Sequence, residues 1–384
     1  MEKNCRHYGI DLLRILSMLF VVVLHMVGHG GILAAASRDS INYQTAWLLN
    51  ISAYCAVNCY VLISGYVGVH ASFKYANILN LWLQVFLYSI GIAAVFQLLS
   101  PQTINWKQLI IYGFPVIFGR YWYFTSYFIL FFMMPLLNAA INHITKTQAK
   151  TLVCSIFILF SLLPIILRCN FPDIPMDYLR YVDSQNGFSV WWFILLYIIG
   201  GCIRRFGLLQ QMKKRALLAI YIGCVMLTWG FKFWGEHSNQ SFFADNLSPN
   251  LLFNYSSPTI LLSAIALLAI FAQMDSIPRW ACRGIGFLAP VSFGVYLIHD
   301  HPLVRQFLVS KKLAGLVHLH PLYFIFSVLA IVLSVYLLCS LIDYVRLLIF
   351  KGLRIKPRIE GLLHYLAGKR KADIAKVKGD GLSS

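Results

Sequence analysis

Acidic residues are scarce in this chain. Its 384 residues hold 14 Asp and Glu against 32 Lys and Arg, and charged residues of either sign make up only 12%. A soluble domain of this size carries about 25% charged residues, so a soluble globular fold is excluded. The nine cysteines include no CxxC pair and fall mostly within apolar runs, as at Cys55, Cys59, Cys154, Cys202, Cys224 and Cys339. That argues against a disulfide framework or a cysteine metal centre, and for cysteine as a small apolar residue. Also missing are an internal repeat, a polar block long enough for a separate catalytic domain, and the period-2 alternation of an outer-membrane barrel.

What is present is hydrophobic, at 59% of the chain. The apolar residues come in blocks of about 20, the length that crosses roughly 30 Å of hydrocarbon as a helix. The sequence therefore predicts an all-α polytopic membrane bundle of about ten transmembrane helices, at 9–30, 46–68, 77–99, 122–142, 151–168, 189–207, 215–234, 251–272, 285–304 and 321–345. The first run has no small-x-small cleavage site and is expected to stay as helix 1. An even count places both termini on one side. Arg204-Arg205, Lys213-Lys214-Arg215 and ten further Lys and Arg between Arg346 and Lys378 mark that side as cytoplasmic. The net charge of +18 thus reflects topology and contact with membrane lipid, not nucleic acid. Lys311 and Lys312 fall outside in this arrangement. We expect a transmembrane domain over 1–345 and a basic cytoplasmic tail over 346–384, first an interfacial helix and then disorder. The run 103–120, broken by Pro115 and Gly119, reads as re-entrant or interfacial. The loops 169–188 and 235–250 can shape an outer mouth.

Helix 1, "GIDLLRILSMLFVVVLHMVGHGG" (Gly9–Gly31), carries Asp11, Arg14, His25 and His29 among aliphatic residues. Arg14 and His25 are eleven residues apart, three turns plus roughly 20°, so they share a face about 16 Å apart along the axis. Asp11 precedes Arg14 by three residues and His29 follows His25 by one turn, which puts all four on one stripe. Such a stripe must face protein or water. One reading is plain: Asp11 pairs with Arg14 and snorkels, and His25 bonds to another helix. The other divides labour. Arg14 at the mouth is a permanently charged, bidentate phosphate ligand, and a neutral His25 deeper in the groove is a general base. The spacing suits a donor that is phosphate-rich at one end and reactive at the other, as a phosphopantetheine thioester is.

The other candidates are more ambiguous. Trp122 and Tyr123 fit an aromatic belt, or a surface for sugar rings. Trp191-Trp192 reads as a lipid anchor. His299 fits a structural role or contact with an acceptor. The string His299-Asp300-His301 resembles a metal cluster, but neighbours on a helix point about 100° apart. His25 and His29 have ligand spacing without an evident third group, so no metal site is expected. Ser64, in "SGY", lacks a nucleophile-elbow context and reads as small-residue packing. A solute transporter is the competing function, since polar residues within a bundle also line solute paths.

The ordered motifs are more specific. "IDLLR" leading to Arg14 and His25, "NCYVLISGY" (Asn58–Tyr66), "YWYFTSYFILFFMMPLLN" (Tyr121–Asn138) and "SFGVYLIHDHPL" (Ser292–Leu303) together resemble the membrane acyltransferase-3 family, over 9–345. The resemblance implies a ten-helix core in the cytoplasmic or inner cell membrane. It implies transfer of an acyl group, usually acetyl, from cytoplasmic acyl-CoA to a hydroxyl of a surface or secreted glycan or its lipid-linked precursor. Acetyl-CoA or another acyl-CoA would then be the donor substrate, and no cofactor is expected. Arg14 and His25 match the family's essential pair, with Asp11 orienting or charge-balancing Arg14. Lys74 matches the first residue of a basic pair after the Ser-Gly motif, while Asn77 stands at the second position. Arg204, Arg205 or Arg279 could supply the missing charge. Trp122, Tyr123 and His299 are the expected acceptor contacts.

Overall fold

The computed structural model describes residues 6–100, 105–171, 185–238, 248–274 and 276–366. Among the described residues there is no strand. The helices used below are α1 (Tyr8–Gly28), α2 (Ile41–Ala53), α3 (Ala56–Gly68), α4 (Tyr75–Leu99), α5 (Trp106–Gly113), α6 (Trp122–His143), α7 (Lys146–Phe157), α8 (Leu163–Asn170), α9 (Val190–Phe206), α10 (Lys214–His237), α11 (Pro258–Ala272), α12 (Arg279–His299) and α13 (Pro321–Gly352).

Eight helices among the described residues are long and apolar enough to cross a membrane: α1 continued to Ala35, α2 with α3, α4, α6, α7 with α8, α10, α12 and α13. The other two predicted spans fall on α9 and α11, of 17 and 15 residues. Residues 251–257, expected to open the eighth span, are turns held by bonds such as Asn254 Nδ2 to the Leu251 carbonyl. Both short helices bury most of their side chains, and a helix walled by protein is not tied to the hydrocarbon length. The 103–120 run contains only α5, of eight residues, too short to span. α13 continues to Gly352 instead of ending at 345. Most of the predicted outer loops and the polar tail beyond 366 lie outside the described residues.

α1 lies at the centre, packed against α2, α3, α11, α12 and α13. Its periphery is screened by helices whose large apolar side chains stay exposed, among them Leu98, Leu136, Phe326 and Leu338, the surface a lipid solvent requires. α3 crosses α9 at backbone contact. A Cβ on Gly65 would lie 2.1 Å from the Tyr197 carbonyl oxygen, and one on Gly200 would lie 2.2 Å from that of Leu62. Small residues permit this approach where no hydrophobic effect drives helices together. The "SGY" motif is thus a packing point, as expected, and Ser64 Oγ donates to its own helix at Tyr60. Trp191 is half exposed, but Trp192 is wholly buried and donates to Asn58 Oδ1 at 3.1 Å. Only the first of that pair can anchor in lipid.

One buried charge pair escaped the sequence reading. Asp343 accepts from Arg346 Nε (2.9 Å) and Nη2 (2.7 Å), from Tyr88 Oη (2.8 Å) and from Gln84 Nε2 (3.1 Å). These bonds join α4 to α13 and meet the condition under which a buried ion pair is tolerated.

Candidate active site

The polar stripe of α1 opens into two separate spaces. At the N-terminal end, Arg14 Nη1 donates to Asp11 Oδ1 at 2.6 Å, and Arg6 binds the other carboxylate oxygen. Asp11 is nearly buried, so its two arginines satisfy a carboxylate that could not stay unpaired. The predicted Asp11–Arg14 pair is present, but it does not close the helix off. A pocket of about 350 Å³ opens beside it, lined by Arg6, His7, Asp11, Arg14, Tyr66, His70 and Arg204. Three arginines face one carboxylate there, a net excess of two positive charges. Arg204 is held by Tyr66, whose Oη accepts from Nη1 at 3.0 Å and whose ring lies 5.0 Å under the guanidinium. Lys74 is exposed at the N-cap of α4 and does not line the pocket. Arg6 and Arg204, on other segments, line it instead.

About three turns further along α1, His25 lines a cavity of about 40 Å³ with Trp122, Tyr123, Tyr60, Tyr255 and Tyr296. The start of α6 is pinned there by Tyr121, whose Oη donates to the Leu297 carbonyl of α12 at 2.9 Å. That bond carries Trp122 and Tyr123 inward, so these aromatics line the cavity and do not form a lipid-facing belt. Tyr296 Oη is buried and makes no hydrogen bond. The end of α1 is fixed by the segment between α12 and α13: Lys311 N donates to the His29 carbonyl and Leu313 N to that of Gly30. Gly31 has φ 87°, and a Cβ there would meet the Lys311 backbone, while one on Gly30 would lie 3.0 Å from Leu313, so Gly30 and Gly31 allow this contact.

His25 Nδ1 lies 2.9 Å from His299 Nε2, and His299 Nδ1 lies 2.6 Å from the Val295 carbonyl oxygen. A carbonyl only accepts, so His299 Nδ1 carries the proton. In neutral rings, His299 Nε2 then accepts and His25 Nδ1 donates. The lone pair of His25 is thereby left on Nε2, the nitrogen a general base needs free. Asp300 Oδ1 lies 3.5 Å from the same Nδ1 and is shared with Arg305 at 3.3 Å. Both nitrogens of His299 are engaged, so neither remains for an acceptor hydroxyl.

Asp300 also supplies the third group that the sequence did not reveal near His25 and His29. Ligand atoms of the three lie within 4.8 Å of one another, although Arg305 competes for the carboxylate. His301 faces away: it bonds to the Ser89 carbonyl and stacks on Tyr112. Residues the sequence reading missed are Arg6, Tyr66 and His70 at the mouth, and Tyr60, Tyr255, Tyr296 and Asp300 at the cavity. Tyr60, Tyr66, Tyr296 and Asp300 stood inside quoted motifs. Arg6, His70 and Tyr255 had no local signal, being brought in by packing.

A family model described as an acyltransferase domain matches residues 7–339. The chain belongs to the acyltransferase-3 family. It is a multi-pass membrane acyltransferase. No curated protein and no solved structure matches it at a significant level. Apart from Arg6, the matched region takes in the residues that line both spaces along α1, and it ends within α13, before the basic segment that follows.

Proposed function

We propose that the chain transfers an acyl group, acetyl in the first instance, from cytoplasmic acyl-CoA to a hydroxyl of a cell-surface or secreted glycan or its lipid-linked precursor. α9 and α11 then count as crossings. Ten crossings, with both termini and the arginine mouth at the cytoplasmic face of the cell membrane, agree with the basic clusters.

The observation that carries this reading is the Val295–His299–His25 hydrogen-bond chain, which leaves an unprotonated nitrogen on a histidine that lines a small cavity, on the same helix as Arg14. Arg14, Arg6 and Arg204 hold the phosphates of the donor, with Asp11 fixing the first two. Arg14 and His25 stand about 16 Å apart along α1, the distance the donor's pantetheine arm has to bridge between the two spaces. At the cavity, His25 Nε2 takes the proton of the acceptor hydroxyl as that oxygen attacks the thioester carbonyl. The C–S bond breaks as the C–O bond forms, and the proton passes on to the departing CoA thiolate. Tyr296 Oη, lacking a partner, is available to donate to the developing oxyanion. His299 positions His25, while Trp122 and Tyr123 offer faces to the acceptor. A space of about 40 Å³ holds only a few waters, which favours a short acyl group. The donor arrives as substrate, and no step calls on a resident cofactor.

The test is transfer of label from radiolabelled acetyl-CoA into glycan, in membranes carrying wild-type chain, His25→Ala or Arg14→Ala at matched folded levels. We expect labelling by the wild type alone. Equal labelling by all three would reduce the stripe to helix packing.

A further inference from the structure

α13 outruns the membrane. Its 32 residues extend about 48 Å, against roughly 30 Å of hydrocarbon, so its last turns leave the apolar layer. They do so at the end of the bundle that holds the arginine mouth. Phe287 of α12 packs on Tyr344 of α13 with ring centres 4.8 Å apart, and a Cβ on the neighbouring Gly286 would lie 3.7 Å from Arg6.

Beyond α13 the chain turns sharply. Arg354 has φ 49°, a left-handed conformation uncommon outside glycine. Residues 355–366 then form a helix whose Leu362, Tyr365 and Leu366 stay exposed, as an interfacial helix leaves them. This turn bounds a pocket of about 320 Å³ whose charged lining is wholly basic: Arg346, Lys351, Arg354 and Lys356. Arg346 is neutralised by Asp343. The other three are exposed and form no ion pair among the described residues. Leu347 and Phe350 give the same pocket an apolar wall.

We propose that this pocket binds the phosphate of an anionic phospholipid, with the headgroup on Lys351, Arg354 and Lys356 and the first acyl carbons against Leu347 and Phe350. A free phosphate would meet the same cations. The apolar wall and the level of the pocket at the end of an overlong membrane helix favour the lipid. The site shares no residue with the arginine mouth and does not depend on the reaction proposed above.

The full chain is placed in nanodiscs of phosphatidylcholine with or without phosphatidylglycerol, and the lipid retained after extraction is read by native mass spectrometry. Retention of phosphatidylglycerol should fall on the order of a hundredfold in the triple variant Lys351→Gln, Arg354→Gln, Lys356→Gln, at about fivefold per charge. It should persist in Lys213→Gln, Lys214→Gln, Arg215→Gln, which removes the same charge elsewhere, and in the charge-conserving Lys351→Arg, Lys356→Arg. Equal loss in both triple variants, or loss in neither, would overturn the site. Displacement by glycerophosphate at equal phosphate concentration would replace the lipid with a soluble phosphate.

Discussion

His25 Nδ1 lies 2.9 Å from Nε2 of His299, a residue 274 positions later in the chain. This contact fixes which nitrogen of His25 holds the lone pair, and the bond from His299 to Val295 fixes that of His299 in turn. Removing the second histidine should therefore impair the first without touching the donor pocket. We expect His299→Ala to lower kcat by about 10²–10⁴-fold, the range of a general base, with KM for acyl-CoA unchanged. His299→Gln should recover part of the loss, because its amide oxygen can accept from Nδ1. Steady-state transfer at matched folded protein decides it; a KM effect alone would contradict the positioning role.

Tyr296 offers a second, opposite pairing of effects. Its hydroxyl is buried in the cavity without a partner. Tyr296→Phe should cost on the order of 10²-fold in kcat if the hydroxyl meets the oxyanion. The same change removes an unsatisfied buried polar atom, so thermal stability in detergent should hold or rise. Lost stability with full activity would sink the assignment.

Arg204 borders the mouth and touches nothing near His25. Arg204→Gln should raise KM for acyl-CoA roughly tenfold through one lost charge-assisted bond to phosphate, with little change in kcat. A kcat loss and an unchanged KM would place the donor elsewhere.

At the crossing of α3 and α9, the Cβ of Gly65→Ala would stand 2.1 Å from the Tyr197 carbonyl oxygen. The helices must separate, at a cost of about 1–3 kcal/mol for overpacking. The unfolding midpoint of the purified protein should fall, and it should fall similarly for Gly200→Ala. An unchanged midpoint would mean the helices do not meet there.

His25, His29 and Asp300 are close enough to share a divalent cation, yet the proposed reaction needs the lone pair on His25 free. Added Zn²⁺ should therefore inhibit transfer reversibly, and less so in His29→Ala. EDTA should leave activity intact. Loss of activity on chelation, restored by metal, would reverse the mechanism.

Much of the fold was legible because membrane helices obey a simple length rule. α1, α4, α6, α10, α12 and α13 all fall on predicted spans. The rule weakens at α9 and α11, where protein replaces lipid as the surroundings, and at Trp192, whose neighbour Trp191 has the same chemistry but the opposite exposure. At the site, the helical period placed Arg14 and His25 on one face, and the motifs pointed to Trp122, Tyr123 and His299. It could not rank Lys74 below Arg204, since which cation reaches the mouth depends on how α9 packs on α3.

By itself, the sequence determined the environment and the stripe. Apolar blocks of spanning length require helices, and a charged and imidazole-bearing face on one of them must be sheltered from lipid. Only the tertiary structure decided what shelters it. Helices distant in sequence bring Arg204 to Arg14 and His299 to His25, because hydrogen-bond partners and packing contacts are properties of the assembled bundle and leave no period in the chain.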